Sequence, residues 1–134
     1  MRILITGGRD WSDRETILQS LLTASEDIPW SEVTVVHGGA RGADTIASEV
    51  ATALGMKVEA HLADWKAYHK AAGPLRNQKM VDLDADVCLA FLQAGSKGTK
   101  DCIMRVIEAG IPIIIYPEDD EARYESERIV LVGE

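Results

Sequence analysis

The chain predicts an α/β fold: a three-layer sandwich around a mainly parallel sheet of five or six strands, in the order 3-2-1-4-5. Three observations predict it. Short apolar runs alternate with helical patterns, the mark of βαβ units with helices on both sheet faces. Three of these runs end in glycine-bearing turns, Gly7-Gly8, Gly38-Gly39 and Gly95-Ser96-Lys97-Gly98. In a parallel sheet the carboxyl ends of the strands share one edge, so these turns gather around one crevice at the switch point between strands one and four.

The first strand is Ile3–Thr6. Ser12 and Glu15 then form a Ser-x-x-Glu capping box that opens a helix striped by Ile17, Leu18, Leu21 and Leu22. Val33–Val36 is the second strand, with β-branched residues throughout, as when both faces are covered. The next helix buries Ile46, Val50 and Leu54 and stops at Gly55. Val58–Leu62 is a short third strand. Residues 63–73 are irregular, and Pro74 suits the first turn of a helix running to about Leu83. Asp86–Phe91 is the fourth strand, and Thr99 caps a helix carrying Ile103, Val106 and Ile107 that ends at Gly110. Pro112–Tyr116 is the fifth strand. The remainder, 118–134, reads as an acidic loop (Glu118 to Glu121, with Glu125 and Glu127) followed by an edge strand at Ile129–Val132.

At 134 residues the chain reads as one domain, 1–134, with no repeat or linker. A net charge of −8 argues against coating nucleic acid, which needs clustered Lys and Arg, yet allows a small anion in a locally basic pocket. Cys88 and Cys102 fit no metal or redox spacing and read as buried thiols of a cytoplasmic protein. No run reaches membrane-spanning length. His61 and His69 lack ligand-spaced partners, and His37 reads as satisfying a turn carbonyl, so neither a metal nor a cofactor is expected.

The Gly38-Gly39-Ala40-Arg41-Gly42-Ala43-Asp44 turn opens a helix. Free N–H groups, close backbone approach and Arg41 suit it to phosphate. Gly95, Ser96, Lys97, Gly98 and Thr99 form a second candidate nest. Gly7, Gly8 and Arg9 supply a third turn, and Trp11 reads as packing. Asp64, Trp65, Arg76 and Asn77 mix acid, aromatic, base and amide outside regular structure, where function concentrates.

Taken together, Ile3–Trp11, His37–Asp44, Ala63-Asp64-Trp65, Ala72–Asn77 and Gly110-Ile111-Pro112 resemble the YpsA-like branch of the SLOG superfamily, over Met1 to about Tyr116. The resemblance implies a Rossmann-like fold and a nucleotide or nucleotide-derived ligand. It places Gly38, Gly39, Arg41 and Gly42 on phosphate, with Gly95, Gly98 and Thr99 opposite. Its relatives include the Lonely Guy phosphoribohydrolases and the DNA-processing protein DprA. In the former, a Glu of a Pro-Gly-Gly-x-Gly-Thr-x-x-Glu motif assists glycosidic cleavage together with an Arg, and Cys102 stands at that Glu position here. A neutral thiol does not stabilise an oxocarbenium-like state as a carboxylate does.

The leading expectation is therefore a sensor or sequestering protein for a nucleotide-like ligand. The alternative is a nucleotide N-glycosidase that uses Asp44, Asp64 or Asp101 as carboxylate and Arg76 as orienting group. Single-stranded nucleic-acid binding is disfavoured by charge. The apolar Ile103–Ile107 helix leaves room for a homodimer.

Overall fold

β1 (Arg2–Gly7) runs down the middle of a five-stranded sheet because its Ile3, Leu4 and Ile5 are apolar on both faces and wholly buried. A computed structural model describes residues 1–133. β2 (Thr34–His37) and β4 (Val87–Leu92) flank β1, with Ile3 opposite Val35 on one side and Val87 on the other. β3 (Lys57–Ala60) and β5 (Ile113–Pro117) form the edges. Every neighbouring pair is parallel, and the order is β3-β2-β1-β4-β5, as the sequence predicts.

Side chains alternate across a strand, so each face collects its own core. Ile3 and Ile5 meet Ile17 and Leu21 of α1 (Arg14–Ala24) and Ala47 and Val50 of α2 (Ala43–Leu54). On the opposite face Leu4 meets Met80 of α4 (Ala72–Val81) and Cys102 and Val106 of α5 (Lys97–Glu108). Trp11, Phe91 and Tyr116 form a row with ring centres 5.4 and 5.3 Å apart, so Trp11 is packing, as expected. Between β3 and α4 lies α3 (Trp65–Tyr68), a single helical turn capped by Asp64.

Several local expectations change. α1 is capped by Asp13, whose carboxylate accepts from Thr16 N at 3.1 Å and Thr16 Oγ1 at 2.6 Å, and not by a Ser12/Glu15 box. A charged acceptor at a helix N-terminus gains from the dipole, and Glu15 is engaged instead with Gln19 at 3.0 Å. α5 starts at Lys97, so Thr99 lies buried inside the first turn and pairs with Ser96 Oγ at 2.7 Å rather than capping the helix. α4 ends at Val81, short of Leu83.

The largest change is at the end of the chain. The reading of 118–134 as an acidic loop and an edge strand, whose last residue Glu134 lies outside the described residues, is corrected: Asp120–Gly133 is a helix, α6, and among the described residues the sheet has five strands. Ala122 and Ile129, seven residues apart, share the face packed on Ala90, Leu92 and Ile103. Asp119 Oδ1 accepts from Ala122 N at 2.8 Å and opens the helix, while Glu125 pairs with Lys100 of α5. No helix among the described residues is long and apolar enough to cross a membrane.

Gly42 precedes α2 with φ +78°, and a Cβ there would collide with the main chain of Gly8 and Arg9. Gly42→Ala is expected to cost about 3 kcal/mol through backbone strain and this collision. Urea unfolding should show a lower midpoint at unchanged slope; an unshifted midpoint would mean that the turn relaxes freely.

Candidate functional site

Between the ends of β1 and β4 a crevice of about 700 Å³ opens at the carboxyl edge. That is within the usual size of a small-molecule site. Its walls come from Thr6 and Gly7 at the end of β1 and Arg9 after it, Asp44 on α2, Arg76 and Asn77 on α4, and residues 93–99 after β4, with Glu118 at the rim.

One wall is the start of α5. Helix geometry leaves the N–H groups of Lys97, Gly98 and Thr99 without partners inside the helix, at its positive end. Gly95, with φ +77°, donates its N–H to both carboxylate oxygens of Glu125, at 3.1 and 3.0 Å. Neither Lys97 nor Arg9 has a carboxylate within 4 Å among the described residues. Two free cations thus border the helix terminus.

The floor is a set of braced polar side chains. Arg76 Nε donates to Asn77 Oδ1 at 2.9 Å, and Nη1 donates to Gly38 O at 2.6 Å, leaving Nη2 unused among the described residues. Its charge has no acid partner within 4 Å among these residues. Asn77, itself buried, donates to Gly98 O at 3.2 Å and Asp101 Oδ2 at 3.0 Å, fixing α4 to α5.

Asp44, 6% exposed, faces Arg76 from α2. Its Oδ2 accepts from Gly38 N at 3.1 Å and Ala40 N at 3.2 Å, while Oδ1 has no partner among the described residues. Burial pushes its pKa up to about 6, against the pull of those N–H groups and of Arg76. His37 does not satisfy a carbonyl: its Nδ1 accepts from Gly39 N at 2.9 Å. Burial and the nearby His61 and Arg76 charges hold it below the usual histidine range.

The crevice brings together Gly7, Arg9, Asp44, Arg76, Asn77, Gly95, Ser96, Lys97, Gly98 and Thr99. Other candidates lie outside its lining. Gly8 is bonded into β4, with its N–H on Phe91 O at 3.0 Å. Gly38 sits behind the Arg76 guanidinium, and Gly39 under Leu62. Arg41, 74% exposed, pairs with Asp10 at 3.3 Å beside a neighbouring shallow depression that Gly42 also lines. Asp64 caps α3, and Trp65 lies against Gly73, with its ring half exposed.

Of the three carboxylates weighed for catalysis, Asp44 alone lines the crevice. Asp101 is held by Arg105 at 2.9 Å and by Asn77; burial pushes its pKa up, but these partners outweigh it and keep it low. Cys102 is wholly buried, and burial raises its thiol to about 11. Sequence reasoning missed Gln93, which accepts from Asp10 N at 3.1 Å and donates to Glu118 at 2.8 Å. Its place directly after β4, ahead of the third turn, was the available signal.

The sequence model of the YspA, cpYpsA-related SLOG family matches residues 1–68. The Gene 61 protein of Mycobacterium phage D29 is 48% identical over 118 residues, covering 84% of this chain and 94% of that protein. Among solved structures, the fold is similar to DNA processing protein A from Streptococcus pneumoniae, with TM-score 0.73 and 17% identity over 98% of this chain. This chain spans only 56% of that one. It is also similar to DNA processing protein A from Helicobacter pylori, a structure described for its single-stranded DNA binding mode. There the TM-score is 0.68 at 16% identity, over 99% of this chain and 73% of that one.

The raised pKa of Asp44 makes stability depend on pH. Between its ordinary value of 3.8 and about 6, the folded protein holds a proton that the unfolded chain has released. This contribution is therefore fully present below 3.8 and is lost as pH rises through 6, by roughly 3 kcal/mol in all. Asp44→Asn removes the titration, so the unfolding free energy of the parent relative to this variant should fall between pH 4 and pH 7. Urea titrations at both pH values check this, and a pH-independent difference would contradict it.

Proposed function

This chain belongs to the YspA, cpYpsA-related SLOG family, and on that footing we propose that it binds a nucleotide or nucleotide-derived small molecule in the crevice, acting as a sensor or sequestering protein. The observation that carries the reading is Arg76. Its guanidinium is braced by Asn77 and Gly38, lacks an acid partner among the described residues and lines a polar cavity. A half-buried cation without a counter-charge is costly, and an anionic ligand elsewhere in the same cavity lowers that cost without touching the guanidinium. The start of α5 supplies the phosphate seat, from the N–H groups of Lys97, Gly98 and Thr99 with the Lys97 and Arg9 side chains at its border.

A second reading, single-stranded nucleic acid, draws on residues 61–81. That stretch carries Lys66, Lys70, Arg76 and Lys79 against the single acid Asp64, in a chain of net charge −8. Trp65 and Tyr68 there are 49% and 55% exposed, and exposed aromatics among cations suit stacked bases. The Helicobacter pylori protein with this fold is described as binding single-stranded DNA.

Ultrafiltration and mass spectrometry after incubation with AMP, NAD, ADP-ribose and cyclic nucleotides test the first reading. A ligand retained intact supports it. Release of free base would replace it with glycosidase chemistry. Retention of a single-stranded oligonucleotide in a low-salt gel shift, with no small molecule held, would replace it with the second.

With the best-retained nucleotide, Arg76→Ala should weaken binding by about 1.5–3 kcal/mol, the scale of a charged hydrogen bond. Arg41→Ala should change it by less than about 1 kcal/mol, because Arg41 is an exposed member of a surface pair. Calorimetric titration distinguishes the two; the reverse ranking would move the ligand to the Arg41 depression.

A further inference from the structure

The floor of the crevice carries an unusual pair. Asp44 is an acceptor with one oxygen unpaired in the described structure, although the residue is more than nine-tenths buried. Opposite it, Arg76 offers the free Nη2. A carboxylate only accepts and a guanidinium only donates, whereas a hydroxyl does both. Two adjacent hydroxyls would answer both residues at once, one giving its proton to Asp44 Oδ1 and the other accepting from Arg76 Nη2. A phosphate fits less well here, since Asp44 would repel it. Oδ1 itself lies covered, and the terminal torsion of an aspartate is soft enough to turn it toward the cavity.

Spacing points the same way. β2 and β4 flank β1, so the start of α2 and the start of α5 stand two strand spacings apart, ~10 Å. With a hydrogen bond of ~3 Å at either end, ~4 Å remains for the ligand between its phosphate and the group that meets Asp44. A pentose fills that gap; a base lies beyond it.

We infer that Asp44 and Arg76 form a subsite for the vicinal diol of a ribose, so that the ligand is a ribonucleotide or its derivative and not the deoxy counterpart. This rests on the nucleotide reading above, and the experiment separates the two.

The protein is titrated calorimetrically with the four common ribonucleoside 5′-monophosphates, each paired with its 2′-deoxy form. Every pair that binds should favour the ribonucleotide by at least about tenfold, the scale of one charged hydrogen bond. In Asp44→Ala the preference should collapse to below threefold, while affinity for the deoxy form stays nearly unchanged. Asp44→Asn, which keeps an acceptor for the Gly38 and Ala40 N–H groups, serves as the better-folded second variant and should lose most of the preference. The ratio is taken within each variant, so a general loss of stability cancels. Equal affinity for both sugars, or a preference that survives both substitutions, overturns the diol subsite and leaves nucleotide binding standing. Failure of these nucleotides and also of NAD, ADP-ribose and the cyclic nucleotides to bind overturns both.

Discussion

Much of this molecule depends on the backbone of one residue, Gly8. Its N–H is spent on Phe91 O at the end of β4, and its carbonyl accepts from Ala43 N, the first residue of α2, at 3.1 Å. The turn after β1, the end of β4 and the start of α2 are thereby sewn together at one point. The closeness this needs leaves no room for side chains: a Cβ on Gly7 would press on Ala43, and one on Gly42 would strike the Gly8 carbonyl. The glycines in these turns therefore serve mutual approach of backbones first. The crevice is the space left beside that seam, on the side where β4 runs into α5.

The seam also decides what charges the site holds. Bringing α2 so near β1 buries Asp44 at the start of the helix, where its carboxylate secures the Gly38 and Ala40 N–H groups. The same turn offers the Gly38 carbonyl to Arg76. Acid and base thus face one polar cavity without neutralising each other in a direct pair. Two half-satisfied groups of opposite sign make a floor that costs stability when empty and gains from a ligand bearing both donors and acceptors.

What was legible in the sequence followed from regular periodicity and from strand ends. Runs such as Val33–Val36, apolar on both faces, located the central strands, and their order followed from alternating β and α units. Arg76, Asn77 and the 95–99 turn were also recognisable, because charged or small residues at the end of a strand or start of a helix have few other uses. Direction was not legible. Nothing in Arg41 itself says that its side chain leaves for Asp10, nor that Asp101 is claimed by Arg105 and Asn77. Asp13 takes the helix cap from Ser12 because its carboxylate holds both the N–H and the hydroxyl of Thr16 with a full charge. The acidic tail misled because its charges obscured the two residues that mattered, Ala122 and Ile129, which repeat at a helical interval and cover β4.

That tail does more than close the core. Glu125 reaches from α6 to the Gly95 N–H and to Lys100, so the last helix grips the loop from which α5 begins. The Gly95 N–H, at the edge of the ligand crevice, is thereby held by a side chain thirty positions later in the chain.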